Sequence, residues 1–406
     1  MSVGIKSVDE ARTAILAAVK PLARTETVRL EDAFNRVLAE DICATRDQPP
    51  FTTSSMDGYA LRADDAPGKL KVVGESAAGG SLGRPLAKGE AARIFTGAPL
   101  PDGADSILIQ EDAKRDGDWL ETPAVEKAAW VRPQGMDFKS GAVLLPAGTR
   151  FDAISLALAG AAGAARFDVQ ARPRIALMSN GDEIVSPGTK PGPYQIFDSV
   201  SYGLTALVDG WGGVARRIEP VEDKIDVLAA AFEKALSESE LLVTIGGASV
   251  GDHDLVKPAL KKLGLDLKVD TVSVRPGKPV FFGLTRAGPV LGLPGNPASG
   301  LVCSHLFLRP LIEAMLGKRP LLTFATARLA APIPENGNRE HYLRARTQAG
   351  PDGATLVRPA ESQDSSLLSI FRDSDALVRR KAGASQGDTG SVVEYLSLGR
   401  SMDISQ

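Results

Sequence analysis

From residue 174 to residue 316 the chain alternates short apolar runs with amphipathic stretches, and this alternation restricts the fold more than any other feature. Strands are predicted at Arg174–Met178, Val214–Val221, Leu241–Ile245, Leu267–Val272, Val280–Leu284 and Val290–Leu293. Helices are predicted from Asp198-Ser199, over Ile225–Leu236, Asp254–Leu263 and Ala298–Leu316. Strands interleaved with helices form a doubly wound, mostly parallel α/β sheet, because parallel neighbours need a crossover between them.

The remaining residues read differently. Ser7-Val8-Asp9-Glu10 has the form of a capping box, and Val8, Ile15, Val19 and Leu22 follow at helical spacing, so a first helix is expected before Pro21. A second short helix is expected near Leu30. Between 48 and 136, runs such as Leu70–Val73, Ala92–Phe95 and Ser106–Ile109 lie between Gly, Pro and Asp turns, which reads as a small β module. Helical signal returns at Phe151–Ala162. After Pro320, strand-like runs at 325–330, 341–347, 355–358, 376–378 and 391–395 predict a C-terminal β module. The expected division is therefore a discontinuous helical linker part (1–47 and 137–170), an inserted β domain (48–136), the α/β domain (171–318) and a C-terminal β domain (319–406).

At 406 residues the chain exceeds one ordinary core. Its 47 basic against 50 acidic residues argue against a nucleic-acid binder. Cys43 and Cys303 are too few to staple the chain and read as small buried hydrophobes in a reducing compartment. The run before Lys20 is shorter than a signal-peptide core, and 153–165 is too short to span a bilayer. A cytoplasmic location without membrane contact is expected.

In an open α/β sheet, ligands bind beyond the carboxyl ends of the parallel strands. Four loops leave that edge: 179–183, 222–223, 246–254 and 294–297. Gly246, Gly247, Ser249 and Gly251 lead into a helix start, where backbone N–H groups can cradle phosphate; equally, they suit a tight turn that binds nothing. Arg275-Pro276-Gly277-Lys278 is either an anion clamp or a solvated basic turn. Asp182, Glu183, Asp223, Asp252 and Asp254 are either helix caps or, beside phosphate, ligands of Mg²⁺. Pro294, Gly295, Asn296 and Pro297 form a stiff loop that presents two N–H groups to an oxyanion or only connects strand to helix. Neither a P-loop nor a dinucleotide fingerprint is present. Ser54–Ala60 and Phe95–Pro99 are hydroxyl- and carboxylate-bearing turns, each structural if taken alone.

Taken in order, Ser-Met-Asp-Gly-Tyr-Ala, Ile-Phe-Thr-Gly-Ala-Pro, Ser-Asn-Gly-Asp-Glu-Ile, Gly-Gly-Ala-Ser-Val-Gly-Asp-His-Asp, Arg-Pro-Gly-Lys-Pro and Leu-Pro-Gly-Asn-Pro resemble the molybdopterin molybdenumtransferases, bacterial relatives of the gephyrin E domain. The resemblance covers nearly the whole chain. It implies an elongated homodimer of four-part chains that inserts molybdate into adenylylated molybdopterin and releases AMP, with a divalent cation. It also implies a catalytic set of Asp57, Thr96, Asp137, Glu183, Asp223, Asp254 and Lys278, with Asp57, Glu183, Asp223 and Asp254 as metal ligands.

Loop prolines fall on Pro294 and Pro297, and a serine-bearing loop on Ser365 and Ser366. Arg275 stands where the family pattern has lysine. Other cofactor-biosynthesis proteins and acceptor molybdoenzymes are the implied partners. No Ser/His/Asp or Cys/His nucleophile is visible, so positioning and electrostatics are expected to carry the rate. The alternatives are a molybdopterin adenylyltransferase, which resembles the α/β domain alone, and a non-catalytic scaffold like gephyrin.

Overall fold

Ser7 caps the first helix as its sequence predicts. In the computed structural model, which describes residues 4–247, 255–320 and 322–399, helix Val8–Ala17 opens with a reciprocal box. The Glu10 N–H donates to the Ser7 hydroxyl (3.3 Å), and the Ser7 N–H donates to the Glu10 carboxylate (2.8 Å). Val8, Ala11 and Ile15 share one face and are buried in the largest apolar cluster.

The chain folds as two compact units, one of Met1–Glu26, Asn35–Val37 and Gln170–Gln406, the other of Thr27–Phe34 and Leu38–Val169. The first holds a six-stranded sheet in the order Val214–Ile218, Arg174–Ser179, Leu241–Ile245, Gly288–Leu293, Phe281–Thr285, Asp266–Val269. The first four strands are parallel, and the last two run antiparallel at one edge. A tight turn joins Phe281–Thr285 to Gly288–Leu293, leaving no room for a crossover helix, so this edge reverses.

All five residues of Leu241–Ile245 are buried, as a strand covered on both faces requires. Leu241, Val243 and Ile245 pack with Leu204, Val208 and Leu306 on one face. Leu242 packs with Leu228, Phe232 and Leu260 on the other. Burying each of these large side chains contributes roughly 1.5–3 kcal/mol.

In the same unit, strands between Ala325 and Ser397 close into a small barrel, because Glu340–Ala349 pairs with both Thr355–Pro359 and Ala376–Arg380. Val274–Arg275, which the sequence reading leaves between strands, joins this barrel beside Glu340–Ala349.

The second unit carries a six-stranded sheet ordered Ser106–Ile109, Gly58–Leu61, Glu90–Ile94, Gly68–Ser76, Trp119–Thr122, Lys114–Asp116. Gly58 is obligatory there, since a Cβ would lie 2.0 Å from the Leu108 carbonyl oxygen.

Three expectations need correction. The helix near Leu30 is only a 3₁₀ turn, Leu30–Asp32, and Asn35 at φ 66° prevents its extension. Cys43 is exposed: on the two-residue strand Ile42–Cys43 it is Ile42 that faces inward. The long final helix is two α segments, Pro297–Cys303 and Arg309–Met315, joined by a π turn at Ser304–Leu308. Pro310 has no N–H to donate, so a regular α ladder cannot run through that junction. No helix among the described residues is long and apolar enough to cross a membrane.

Candidate active site

The carboxyl ends of three adjacent parallel strands, Arg174–Ser179, Leu241–Ile245 and Gly288–Leu293, build the floor of a cleft of about 600 Å³. Backbone bonds draw their loops together: the Asn180 N–H donates to the Ile245 carbonyl (2.9 Å) and the Gly246 N–H to the Leu293 carbonyl (3.0 Å). Gly246 has φ +82°, and a Cβ there would sit 2.9 Å from the Asn180 carbonyl oxygen. A Cβ on Gly295 would in turn sit 3.3 Å from Gly246 Cα. The two glycine loops thus meet main chain to main chain, which only glycine permits. Gly247, Pro294, Gly295, Asn296 and Pro297 complete this wall. Ser179 Oγ and Asn180 Oδ1 are buried in the floor without a hydrogen-bond partner among the described residues. Such atoms are costly unless water or ligand satisfies them.

The barrel supplies the facing rim. Asn296 Nδ2 donates to Ser365 Oγ (2.9 Å), and the Ala298 N–H at the start of the following helix donates to the Ser365 carbonyl (3.0 Å). Ser366 lines the cleft, and Asp364 holds it through its N–H (2.9 Å) and Oγ (2.6 Å). Behind this turn lies Arg344, only 1% exposed. It donates to the carbonyls of Leu367 and Asp364 (both 2.8 Å), and its own N–H donates to Gln363 Oε1 (2.9 Å). A buried guanidinium satisfied by carbonyls fixes their positions, because losing any one leaves a charge unsolvated.

Acidic groups cluster at the other rim. Glu183 folds its carboxylate over Gly181, within 2.5 Å of where a Cβ would be. The Asp223 N–H donates to Asp182 Oδ1 (3.3 Å). Partial burial, then the charges of Asp182 and Glu183, raise the Asp223 carboxyl above the ordinary aspartate range. A divalent cation would relieve that crowding. Among the described residues no group of three or more donors is preassembled to hold one, but Mg²⁺ takes only one or two carboxylates when phosphate and water fill its shell.

In the second unit Asp57 and Thr96 meet although 39 residues separate them. Asp57 Oδ1 accepts the Thr96 N–H (2.7 Å) and the Thr96 hydroxyl (2.8 Å). These two bonds, with a smaller contribution from the charge of Arg93, hold the carboxyl below its usual range. Arg93 lies over the rings of Phe95 and Tyr59 and donates to the Gly58 carbonyl (2.9 Å), so the turn is stacked as well as bonded. Asp137 is exposed; its N–H donates to the Gln48 carbonyl (2.9 Å). No hydrogen bond among the described residues ties its carboxylate to the Asp57–Thr96 pair.

Comparison with known proteins places this arrangement in a family. Residues 6–163 match the MoeA N-terminal region (domain I and II), 176–314 a probable molybdopterin binding domain, and 326–398 the MoeA C-terminal region (domain IV). The molybdopterin molybdenumtransferase of Haemophilus influenzae is 30% identical over 97% of this chain and 99% of its own length. That of Nostoc is 36% identical over 79% of this chain and 76% of its own length. A molybdopterin biosynthesis MoeA protein from Pyrococcus horikoshii superposes with a TM-score of 0.81 at 31% identity, covering 98% of this chain and all of that one. The chain belongs to the molybdopterin molybdenumtransferase family.

Within this molybdenumtransferase chain, the residues expected from sequence fall into distinct places. Glu183, Gly246, Gly247, Pro294, Gly295, Asn296, Pro297 and Ser366 line one cleft, and Ser365 braces it. Asp223 does not line it, but stands beside Asp182 and near enough to Glu183 to feel its charge. Lys278 is exposed, and the neighbouring Pro279 lines the cleft. Arg275 does not line it; that side chain belongs to a second cavity, in the barrel. Ser249, Gly251 and Asp254 lie outside the described residues.

Sequence reasoning missed Arg344 and Arg93 as site-building residues. Arg344 carries one signal, an arginine amid the apolar residues of a barrel strand, but its partners lie 18 to 23 residues further on.

Proposed function

We propose that this transferase inserts molybdate into adenylylated molybdopterin and releases AMP and molybdenum cofactor. The observation that carries the reading is likeness along the whole chain to a named molybdopterin molybdenumtransferase, joined to a glycine-walled, polar-floored cleft suited to phosphate and oxyanion.

In this reading water adds across the phosphoanhydride between adenylate and pterin phosphate. AMP departs with one phosphate, and the pterin keeps the other. The Gly247 and Gly295-Asn296 backbones receive phosphate oxygens, Gly246 lets them approach closely because it lacks a Cβ, Lys278 contributes positive charge, and the Asn296–Ser365 contact keeps the Pro-Gly-Asn-Pro loop in place. Asp223 and Glu183 are the residues of the first unit that would hold Mg²⁺, and the family resemblance adds Asp57 and Asp254 to the metal set. When bound, the ion offsets the charge that develops as the anhydride opens. Asp57, fixed by Thr96, and Asp137 complete the catalytic set. A homodimer, a cytoplasmic location, a four-part division of the chain, and contacts with other cofactor-biosynthesis proteins and acceptor molybdoenzymes belong to the same reading.

The test is AMP release from adenylylated molybdopterin. Release that requires Mg²⁺ and rises at least tenfold with molybdate is expected. AMP transfer from ATP to molybdopterin without molybdate would instead identify an adenylyltransferase. Cofactor synthesis unaffected by Asp57→Ala would identify a scaffold.

A further inference from the structure

Of the chain's three tryptophans, two have partners for their rings. Lys69 Nζ lies 5.4 Å over Trp119, and Trp211 meets His305 edge to face at 5.1 Å. Trp130 has neither a ring nor a cation partner among the described residues, and it is 50% exposed. Nor does it anchor its own segment: the neighbouring Val131 does that, packing on Ala60, Ile94 and Ile107.

The backbone beneath this indole is costly. Trp130 has φ +58° and Ala128 φ +61°, and every other positive φ among the described residues belongs to glycine or to Asn35. In that region a side chain crowds the following carbonyl; glycine escapes the penalty and asparagine tolerates it, whereas a bulky residue is an outlier. A corner in the chain imposes the geometry. Residues 128 and 129 run beside the edge strand Ser106–Ile109, where the Ala128 N–H donates to the Asp105 carbonyl (3.1 Å) and the Ile107 N–H to the Ala129 carbonyl (3.0 Å). Val131 then leaves that edge to pair with Ser54. Such a corner needs a left-handed residue but not a tryptophan. Strain retained where a cheaper residue would turn the chain points to a use for the side chain.

The corner is tied to the Asp57–Thr96 pair. Ser55 donates to the Trp130 carbonyl through its N–H (2.9 Å) and its Oγ (2.8 Å). Ser54 binds the Thr96 turn: its N–H donates to the Ala98 carbonyl (3.0 Å), and its carbonyl accepts the Gly97 N–H (2.9 Å). Two consecutive serines thus hold the carboxylate turn, the hydroxyl turn and the tryptophan corner together. Arg93 already covers Phe95 and Tyr59, which leaves the indole as the uncovered ring of the group. An exposed indole stacks well on a flat heterocycle.

We propose that Trp130 positions the substrate by stacking on a planar nitrogen heterocycle beside the Asp57–Thr96 pair. The stacking chemistry follows from these residues alone. Its place in the reaction rests on the molybdenum-insertion reading, whose substrate carries two such rings, an adenine and a pterin.

Full-length protein labelled with 5-fluorotryptophan should give one fluorine signal per indole, assigned with Trp130→Phe. AMP and 6-hydroxymethylpterin, titrated separately, distinguish the two rings. The one that stacks should move the Trp130 signal saturably, with Trp119 and Trp211 as internal references; a response to both supports a platform that accepts either. In AMP release from adenylylated molybdopterin, Trp130→Asn should raise KM about tenfold, or 1.4 kcal/mol, with kcat within about threefold. Trp130→Phe, which keeps a ring, should restore KM to within about threefold of the parent. Trp130→Asn should also melt at or above the parent temperature, because asparagine tolerates the left-handed corner. A parent chain that releases no AMP while a ring still moves the Trp130 signal would remove the insertion reading and leave the platform standing. Stacking is overturned if the Trp130 signal stays still at tens of millimolar AMP and in pterin-saturated buffer, or if Trp130→Asn leaves KM unchanged. It is also overturned if Trp130→Asn melts lower and loses kcat rather than KM, the behaviour of a purely structural residue.

Discussion

Asp57 and Asp223 are both aspartates of the expected site, yet their surroundings drive them in opposite directions. Asp57 receives two hydrogen bonds from Thr96 and is held below its ordinary range. Asp223 receives no such bond among the described residues and is raised by burial and by Asp182 and Glu183. The first is an anion already stabilised by its own turn, ready to accept or position. The second carries unrelieved repulsion and gains most from an arriving cation. The same side chain is thus settled by hydrogen bonds in one place and crowded by like charge in the other, and the division follows from local surroundings rather than residue type.

The comparison is broken most severely at Asp57. Asp57→Asn retains an acceptor for Thr96 and should fold normally, but AMP release should fall by on the order of 10²–10³-fold, as when a preorganised electrostatic group is removed. A normal melting temperature with less than a tenfold loss of rate would remove Asp57 from the reaction.

Asp223→Asn separates stability from activity. Raised in the folded state, Asp223 binds its proton more readily there than in the unfolded chain. Its repulsion is therefore fully present above the folded pKa and disappears as pH falls below the unfolded value. At pH 7 the variant should be more stable by at most about 1 kcal/mol, given the solvent screening at this rim, while its Mg²⁺ requirement rises severalfold. Denaturant melts at pH 7 and pH 4 check the sign: the gain should shrink at the lower pH. Asp57 has the opposite linkage, its stabilisation lost only as pH falls through a lowered pKa.

The smallest effect sharpens the contrast from a distance. Ser365→Ala removes the acceptor of Asn296 without touching either aspartate, and should lower AMP release roughly three- to tenfold, about 1 kcal/mol for one neutral hydrogen bond. A Mg²⁺ dependence unchanged from the parent would show that the loop acts apart from the acidic rim.

What the sequence made legible was local. Leu241–Ile245 reads as a doubly buried strand from its own five residues, and Gly246-Gly247 and Pro294–Pro297 announce themselves as turns. From those units, the four parallel strands and the cleft beyond them follow by general rules of α/β topology. Long-range pairing was not legible. Nothing near Arg275 shows that it will lie beside His341, 66 residues later, and line the barrel's cavity rather than the cleft. Likewise Asn296 and Ser365 are 69 residues apart, and each alone resembles any polar loop residue. The antiparallel edge was missed for a related reason: apolar runs do not encode strand direction, which the connection lengths decide.

The hydrogen bonds from Asn296 and Ala298 to Ser365 bear on how such a chain can be cut or recombined. An isolated segment 171–318 would keep every strand of its central sheet, yet the amino end of its last helix would lose both acceptors. Grafting that segment into another context, or exchanging the barrel for an unrelated one, would deliver a folded domain with a slack Pro-Gly-Asn-Pro loop. Heredity should therefore transmit the two as a single piece.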